Sequence, residues 1–217
     1  MPGLSVNSCR CCAHGSTRWL SAEPELTRIA ATLDCEPVVL TVGHSTRPLA
    51  AFIALLKAHS VARLIDVRTV PRSRHNPQFD RETLPAALAA DGIGYEHVAG
   101  LGGFRGTLLG SLNTGWRNGS FRGYADYMQT PEFAEHLADL IARARRERIV
   151  LMCAEAVPWR CHRSLIADAL VVHGIRVAEI ISGSRRQVHT LTPFARVHGT
   201  LITYPPASSS LTARSEE

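Results

Sequence analysis

Four short stretches of this chain are apolar on successive residues, and that pattern restricts the possible fold more than any other feature. They are residues 38–43 (VVLTVG), 63–68 (RLIDVR), 149–154 (IVLMCA) and 177–181 (VAEII), with 95–98 a weaker fifth. A strand with one wet face alternates apolar and polar side chains, whereas a strand covered on both faces does not. Helical patterns separate the runs, at 49–59, 81–91, 131–146 and 162–173. Asp91-Gly92 and His173-Gly174 supply a glycine after two of them, a usual helix stop. Strands alternating with helices imply a parallel sheet with right-handed crossovers. The expected architecture is therefore α/β, a three-layer sandwich around a mainly parallel central sheet of about five strands.

The 217 residues and the 45% hydrophobic content suit one domain that buries a full core without disulfides. We assign that domain to 37–204. Residues 1–36 read as a poorly ordered extension with a short helix candidate at 23–33. Residues 205–217 (PPASSSLTARSEE, after Tyr204) have the composition of a disordered tail. Of the six cysteines, Cys9, Cys11, Cys12 and Cys35 lie in or near the extension, and Cys153 and Cys161 in the domain. Their spacing is not a secreted disulfide framework. No signal peptide or membrane-length apolar stretch is visible, so a cytoplasmic protein without membrane association is expected. The net charge of +5 is carried almost wholly by arginine, Lys57 being the one lysine. That balance permits phosphate or nucleic-acid partners without requiring them.

In a parallel sheet, ligands sit beyond the carboxyl ends of the strands. The first strand runs into Gly43-His44-Ser45-Thr46-Arg47. The second runs into Asp66-Val67-Arg68 and then Arg72-Ser73-Arg74-His75-Asn76. The weaker strand leads to Leu101-Gly102-Gly103-Phe104-Arg105, and the fourth ends in Cys153-Ala154-Glu155, followed by Arg160-Cys161-His162-Arg163. Strands running one way bring all of these to one rim. Cys153 as a nucleophilic or redox thiol, Glu155 as an acid or base, and His44 and Asp66 beside them form the expected catalytic group. Ser45, Arg68, Arg72, Arg74, Arg160 and Arg163 form the expected anion site, because guanidinium matches phosphate and carboxylate bidentately. The plainer alternatives are a Cys153 buried as a small apolar residue and a Glu155 held in an ion pair by Arg163 or Arg68.

Six residues separate Cys153 from Arg160. The phosphate loop of cysteine phosphatases has five, so that activity is not assigned. Cys161 and His162 start a helix and are also metal candidates with Cys153 and His44. The C-x7-C-H spacing matches no two-pair zinc pattern, so no metal is expected and no cofactor is required. Residues 101–121 carry six glycines, from Gly102 to Gly119, and read as a flexible lid. Phe79, Phe104, Trp116, Phe121, Tyr124 and Trp159 lie in or beside these loops. They read either as stacking platforms for bases or as the loops' own small core.

The segments TVGHSTRPLAAF, LIDVRTVPRSRHNPQF, GIGYEHVAGLGG, FRGYADYMQTPEF and LMCAEAVPWRCHRSLIADAL resemble the bacterial and archaeal family catalogued as domain of unknown function 488. The likeness spans about residues 40–182, in the family's order and spacing, and leaves 1–36 outside. It implies a compact α/β domain and implies no reaction. The resulting expectation is an enzyme that binds a small anionic, phosphate-bearing ligand. A nucleic-acid-associated, repair-like protein and a regulatory binding module without catalysis are the competitors. Oligomeric state is not readable from the sequence.

Overall fold

The computed structural model describes residues 38–206. The expected extension at 1–36, with its four cysteines, and nearly all of the expected tail lie outside the described residues. Five parallel strands form the sheet: β1 (Val38–Gly43), β2 (Arg63–Asp66), β3 (Gly94–His97), β4 (Ile149–Cys153) and β5 (Arg176–Ile180). A sixth, β6 (Arg186–Val188), joins antiparallel to β5, so the order across the sheet is β3-β2-β4-β1-β5-β6. The sheet therefore has one strand more than expected. β6 is fully exposed and begins with arginine, so no apolar run marks it.

The helices divide between the two faces. Helices α1 (Leu49–Ala58) and α2 (Leu84–Ala90) pack on the face that carries Leu40, Val42, Leu64, Val150 and Met152. Helices α3 (Gly119–Tyr127), α4 (Pro131–Ala144) and α5 (Arg163–Val172) cover Val39, Ile65, Val67, Ile149 and Leu151 on the other. Along β1, β2, β4 and β5 successive residues thus go to opposite faces, and both faces receive apolar residues. This is why the strands read as continuous apolar runs. Each Val, Leu or Ile so buried contributes roughly 1.5–3 kcal/mol.

Local chemistry sets the helix ends. Thr130 accepts a hydrogen bond from the Phe133 N–H ahead of Pro131, and Asn118 accepts one from Ser120. Gly92 and Gly174 have φ of +73° and +76° just past α2 and α5, as expected of helix-stopping glycines. The expected helix at 81–91 begins three residues late, because 80–83 form a turn around Asp80.

Two buried carboxylates fasten the irregular segments. Asp126 on α3 accepts from the Leu108 N–H, the Ser111 hydroxyl and the Asn113 amide, which pins the loop expected to be a lid. Asp168 on α5 accepts from His189, the Thr192 N–H and the Tyr204 hydroxyl. Asp168 thereby ties down the chain leading to the hairpin of β7 (Arg196–His198) and β8 (Leu201–Thr203). Trp116, Phe121, Phe194 and Tyr204 close one aromatic cluster beneath these segments, which fits the small-core reading for Trp116 and Phe121. Among the described residues no helix is long and apolar enough to cross a membrane.

Candidate functional site

Neighbouring strands β1 and β4 send their following helices to opposite faces, α1 to one and α5 to the other. Their carboxyl ends therefore form a topological switch point, where the diverging connections leave a crevice. A cleft of about 720 Å³ opens there. His44, Ser45 and Thr46 come to it from β1, and Cys153, Ala154 and Glu155 from β4. Arg68, Arg72, Ser73 and Asn76 reach it from beyond β2, and Arg160, Cys161 and His162 from the turn before α5. All four expected strand-end clusters thus send residues to one rim, the one at 101–105 through Gly103 and Phe104.

The two central loops touch. The His44 and Ser45 N–H groups donate to the carbonyls of Cys153 and Ala154 at 2.9 and 3.0 Å. A Cβ on Gly43 would lie 2.0 Å from the Glu155 carbonyl oxygen, so a glycine is required by contact. Ser45 adopts φ +50°, a left-handed conformation that is uncommon outside glycine and concentrates at functional sites.

The sulfurs lie at the floor of the cleft. Cys153 is half-buried and Cys161 buried, both as free thiols. Each perturbs the other. Cys153 is pushed up chiefly by its hydrogen bond to Cys161 and by burial. Cys161 is held well below the ordinary thiol range, first by the Cys153 hydrogen bond and also by His162 and Arg163, against the effect of burial. The amino end of α5 begins next to Cys161 and favours the anion further.

His162 sits beside them with its ring orientation fixed. Its Nε2 lies 3.0 Å from the Val67 carbonyl oxygen, which only accepts, so Nε2 carries the proton. Nδ1 faces the Cys161 sulfur at 3.7 Å. His44 is fixed differently. Its Nδ1–H donates to the Ser45 carbonyl at 2.8 Å and its Nε2 accepts from Arg68 at 3.3 Å. Burial, helped by the Arg68 charge, lowers its pKa to about 4, so the ring is neutral near pH 7. It stacks on Phe79 with ring centres 4.2 Å apart.

Several expected members lie elsewhere. Asp66 is fully buried and does not line the cleft. It points to the α2 face, as Leu64 does two residues earlier, whereas Cys153 packs against the opposite core. Its carboxylate accepts from Arg68 Nε at 2.9 Å, Arg68 Nη2 at 2.6 Å and the Tyr95 hydroxyl at 2.8 Å. Arg68 is correspondingly a buried structural cation whose edge alone reaches the cleft. Arg163 is buried behind Cys161 and pairs with Glu179 at 3.4 Å. The alternative of an ion pair from Arg163 or Arg68 to Glu155 is not what the side chains form: Arg163 Nη2 donates to the Glu155 backbone carbonyl at 2.6 Å instead. The Glu155 carboxylate accepts from the Val157 N–H and lines the cleft half-buried. Arg74 is exposed and away from the cleft lining.

The arginines exposed at the cleft are therefore Arg72 and Arg160. Arg72 has a loose, exposed pairing with Glu82 at 3.7 Å. Arg105 is used locally, donating to the Gly100 and Gly102 carbonyls over the Tyr127 ring. Glu179 and its partner Thr41 are members of the site's support that the expected set omitted. The signal was present: a carboxylate inside an apolar strand (VAEII) needs a buried cation.

No curated protein and no solved structure gives a significant match. Residues 48–170 match the family model described as Domain of unknown function DUF488, more than half of the chain, and the protein belongs to that family.

Proposed function

We propose that this protein is an enzyme acting on a small anionic, phosphate-bearing ligand held in the switch-point cleft. The observation that carries this reading is the convergence, in one crevice, of two cysteine sulfurs, an imidazole and two exposed arginines. Arg160, exposed and with its guanidinium unpaired among the described residues, and Arg72 supply bidentate contacts to phosphate oxygens. The hydroxyls of Ser45, Thr46 and Ser73 add neutral donors. Cys153 and Cys161 lie where the bound anion would meet the floor. Glu155 stands at the mouth with one carboxylate oxygen free of the Val157 N–H, positioned to move a proton.

A ligand that binds only the folded chain raises the melting temperature as RT ln(1 + [L]/Kd). Inorganic phosphate and a panel of mononucleotides are the probes. The expected result is a concentration-dependent rise in wild type that is lost in Arg72→Ala/Arg160→Ala. No rise with any phosphate compound at millimolar concentration would overturn the anion reading. In an activity screen over the compounds that do bind, Cys153→Ser and Glu155→Gln should both lower turnover. Full activity in both would overturn the catalytic assignment.

A second reading is supported by one observation. Phe104 and Trp159, at the cleft rim and beside it, are 80% and 70% exposed, as base-stacking platforms are. Single-stranded DNA would then bind with a steep salt dependence, and salt-insensitive binding would count against it.

A further inference from the structure

We propose that Cys153, Cys161 and His162 form a mononuclear zinc(II) site whose fourth coordination position faces the cleft. This inference rests on the cleft described above but not on its ligand being a phosphate compound.

The ligand atoms of the three residues all lie within 4.8 Å of one another. Tetrahedral zinc with bonds of about 2.3 Å to sulfur and about 2.0–2.1 Å to nitrogen sets its ligand atoms roughly 3.5–3.8 Å apart. The Cys161 sulfur and His162 Nδ1 are already 3.7 Å apart. A ligating imidazole almost always donates its other N–H to a carbonyl or carboxylate, which fixes the tautomer and aims the lone pair. His162 has that arrangement, with Nε2–H on the Val67 carbonyl and Nδ1 turned toward the Cys161 sulfur. Tyr124 packs tilted on the same ring with centres 5.1 Å apart, which restrains its rotation. Gly103 passes directly over the donor nitrogen: a Cβ there would lie 2.5 Å from Nδ1 and bury the lone pair.

Two thiolates and one neutral imidazole balance a dication and select zinc over harder metals. The set has three protein ligands rather than four. Structural zinc sites are closed, whereas a three-ligand site keeps one position for water or a substrate oxygen. All three ligands line the cleft, so that position opens toward Arg72, Arg160 and Glu155. The separation of seven residues between the cysteines fits no zinc knuckle. Here the first cysteine ends a strand and the second precedes the next helix, so the 154–160 loop spans the gap.

The test uses the full chain, reduced, stripped with chelator and titrated with zinc alone against a chromophoric competitor. Because Cys9, Cys11 and Cys12 also offer thiolates, Cys9→Ser/Cys11→Ser/Cys12→Ser is measured alongside. That variant should keep one equivalent of zinc at wild-type affinity. Cys161→Ser and His162→Ala should each weaken it by at least tenfold, and Gly103→Ala should weaken it with both sulfurs intact. Cobalt(II) should give the thiolate charge-transfer band and the visible bands of a tetrahedral site. Circular dichroism checks that each variant is folded. Loss of all zinc in the N-terminal variant, or unchanged affinity in both Cys161→Ser and Gly103→Ala, would overturn the proposal. So would failure of the folded, reduced wild type to bind zinc or cobalt stoichiometrically. Failure of phosphate binding alone would leave it standing and remove only the anion reading.

Discussion

Removing the Asp66 carboxylate should unfold this protein far more readily than it alters any chemistry. Asp66 is fully buried and Arg68 is 5% exposed, so their pairing occurs with little help from water. The carboxylate accepts four hydrogen bonds, three from Arg68 and one from Tyr95. Asp66→Ala leaves the guanidinium buried with only the Phe79 carbonyl and the His44 nitrogen as partners. Stripping one partner from a buried ion pair costs about 3–5 kcal/mol, mostly for the charge left uncompensated. Four separate charged hydrogen bonds at about 1.5–3 kcal/mol each would suggest more, but they act as one unit and do not add. For a chain of this length the loss corresponds to a fall in Tm of roughly 6–20 °C. Arg68→Met should cost a similar amount. Asp66→Leu/Arg68→Met should be more stable than either single variant, because no lone charge remains. Urea and thermal unfolding of the four proteins test this ordering. If Asp66→Ala lost less than about 1 kcal/mol, the pair would not be the structural unit inferred here. Asp66 would then return as a candidate for catalysis.

Two further outcomes follow from the same contacts. Gly43→Ala forces a methyl group to within 2.0 Å of the Glu155 carbonyl, so it should cost about 1–3 kcal/mol in chemical denaturation and abolish cleft binding. A variant as stable as wild type would show that the two loops do not touch. Burial works against the Asp126 charge, but the Leu108 N–H, Ser111, Asn113 and Arg122 outweigh it and hold the carboxyl below its ordinary value. A depressed carboxyl stabilises the fold above its unfolded pKa and loses that contribution as pH falls through the folded one. The stability difference between wild type and Asp126→Asn should therefore be constant near neutrality and shrink below about pH 5. A difference independent of pH down to about pH 3 would contradict this.

The strands were legible because burial on both faces writes them as unbroken apolar runs, and the parallel sheet followed from what separates them. The elements that escaped are those held by tertiary contacts. Helix α3 (GSFRGYADY) contains two glycines and has little intrinsic helix preference, and what holds it is the packing of Tyr124 and Tyr127 against the core. Strands β6, β7 and β8 are three residues each and mostly exposed, too short to carry a periodicity.

The site was legible to the level of the rim and no further. One direction of travel for all strands brings His44, Cys153 and Cys161 to one edge, and that depends only on the order of elements. Which side of the sheet a residue serves depends on the pleat. Asp66 pairs in register with Met152 and shares its face, so it turns away from Cys153 one residue on. Which arginine remains available depends on burial, and burial commits Arg68 to Asp66 and Arg163 to Glu179. A one-dimensional count of arginines near strand ends sees neither constraint and so overstates the charge available to a ligand. Cys153, Cys161 and His162 could be grouped from the sequence, but spacing argued against a metal, because spacing templates describe single knuckles and these donors come from a strand end and a helix start. A cleft with two exposed guanidiniums and three soft donors is a narrower chemical object than a ring of arginines. On the function proposed above, it suits a ligand that presents a few anionic oxygens at one end to the floor rather than one that needs a long basic track.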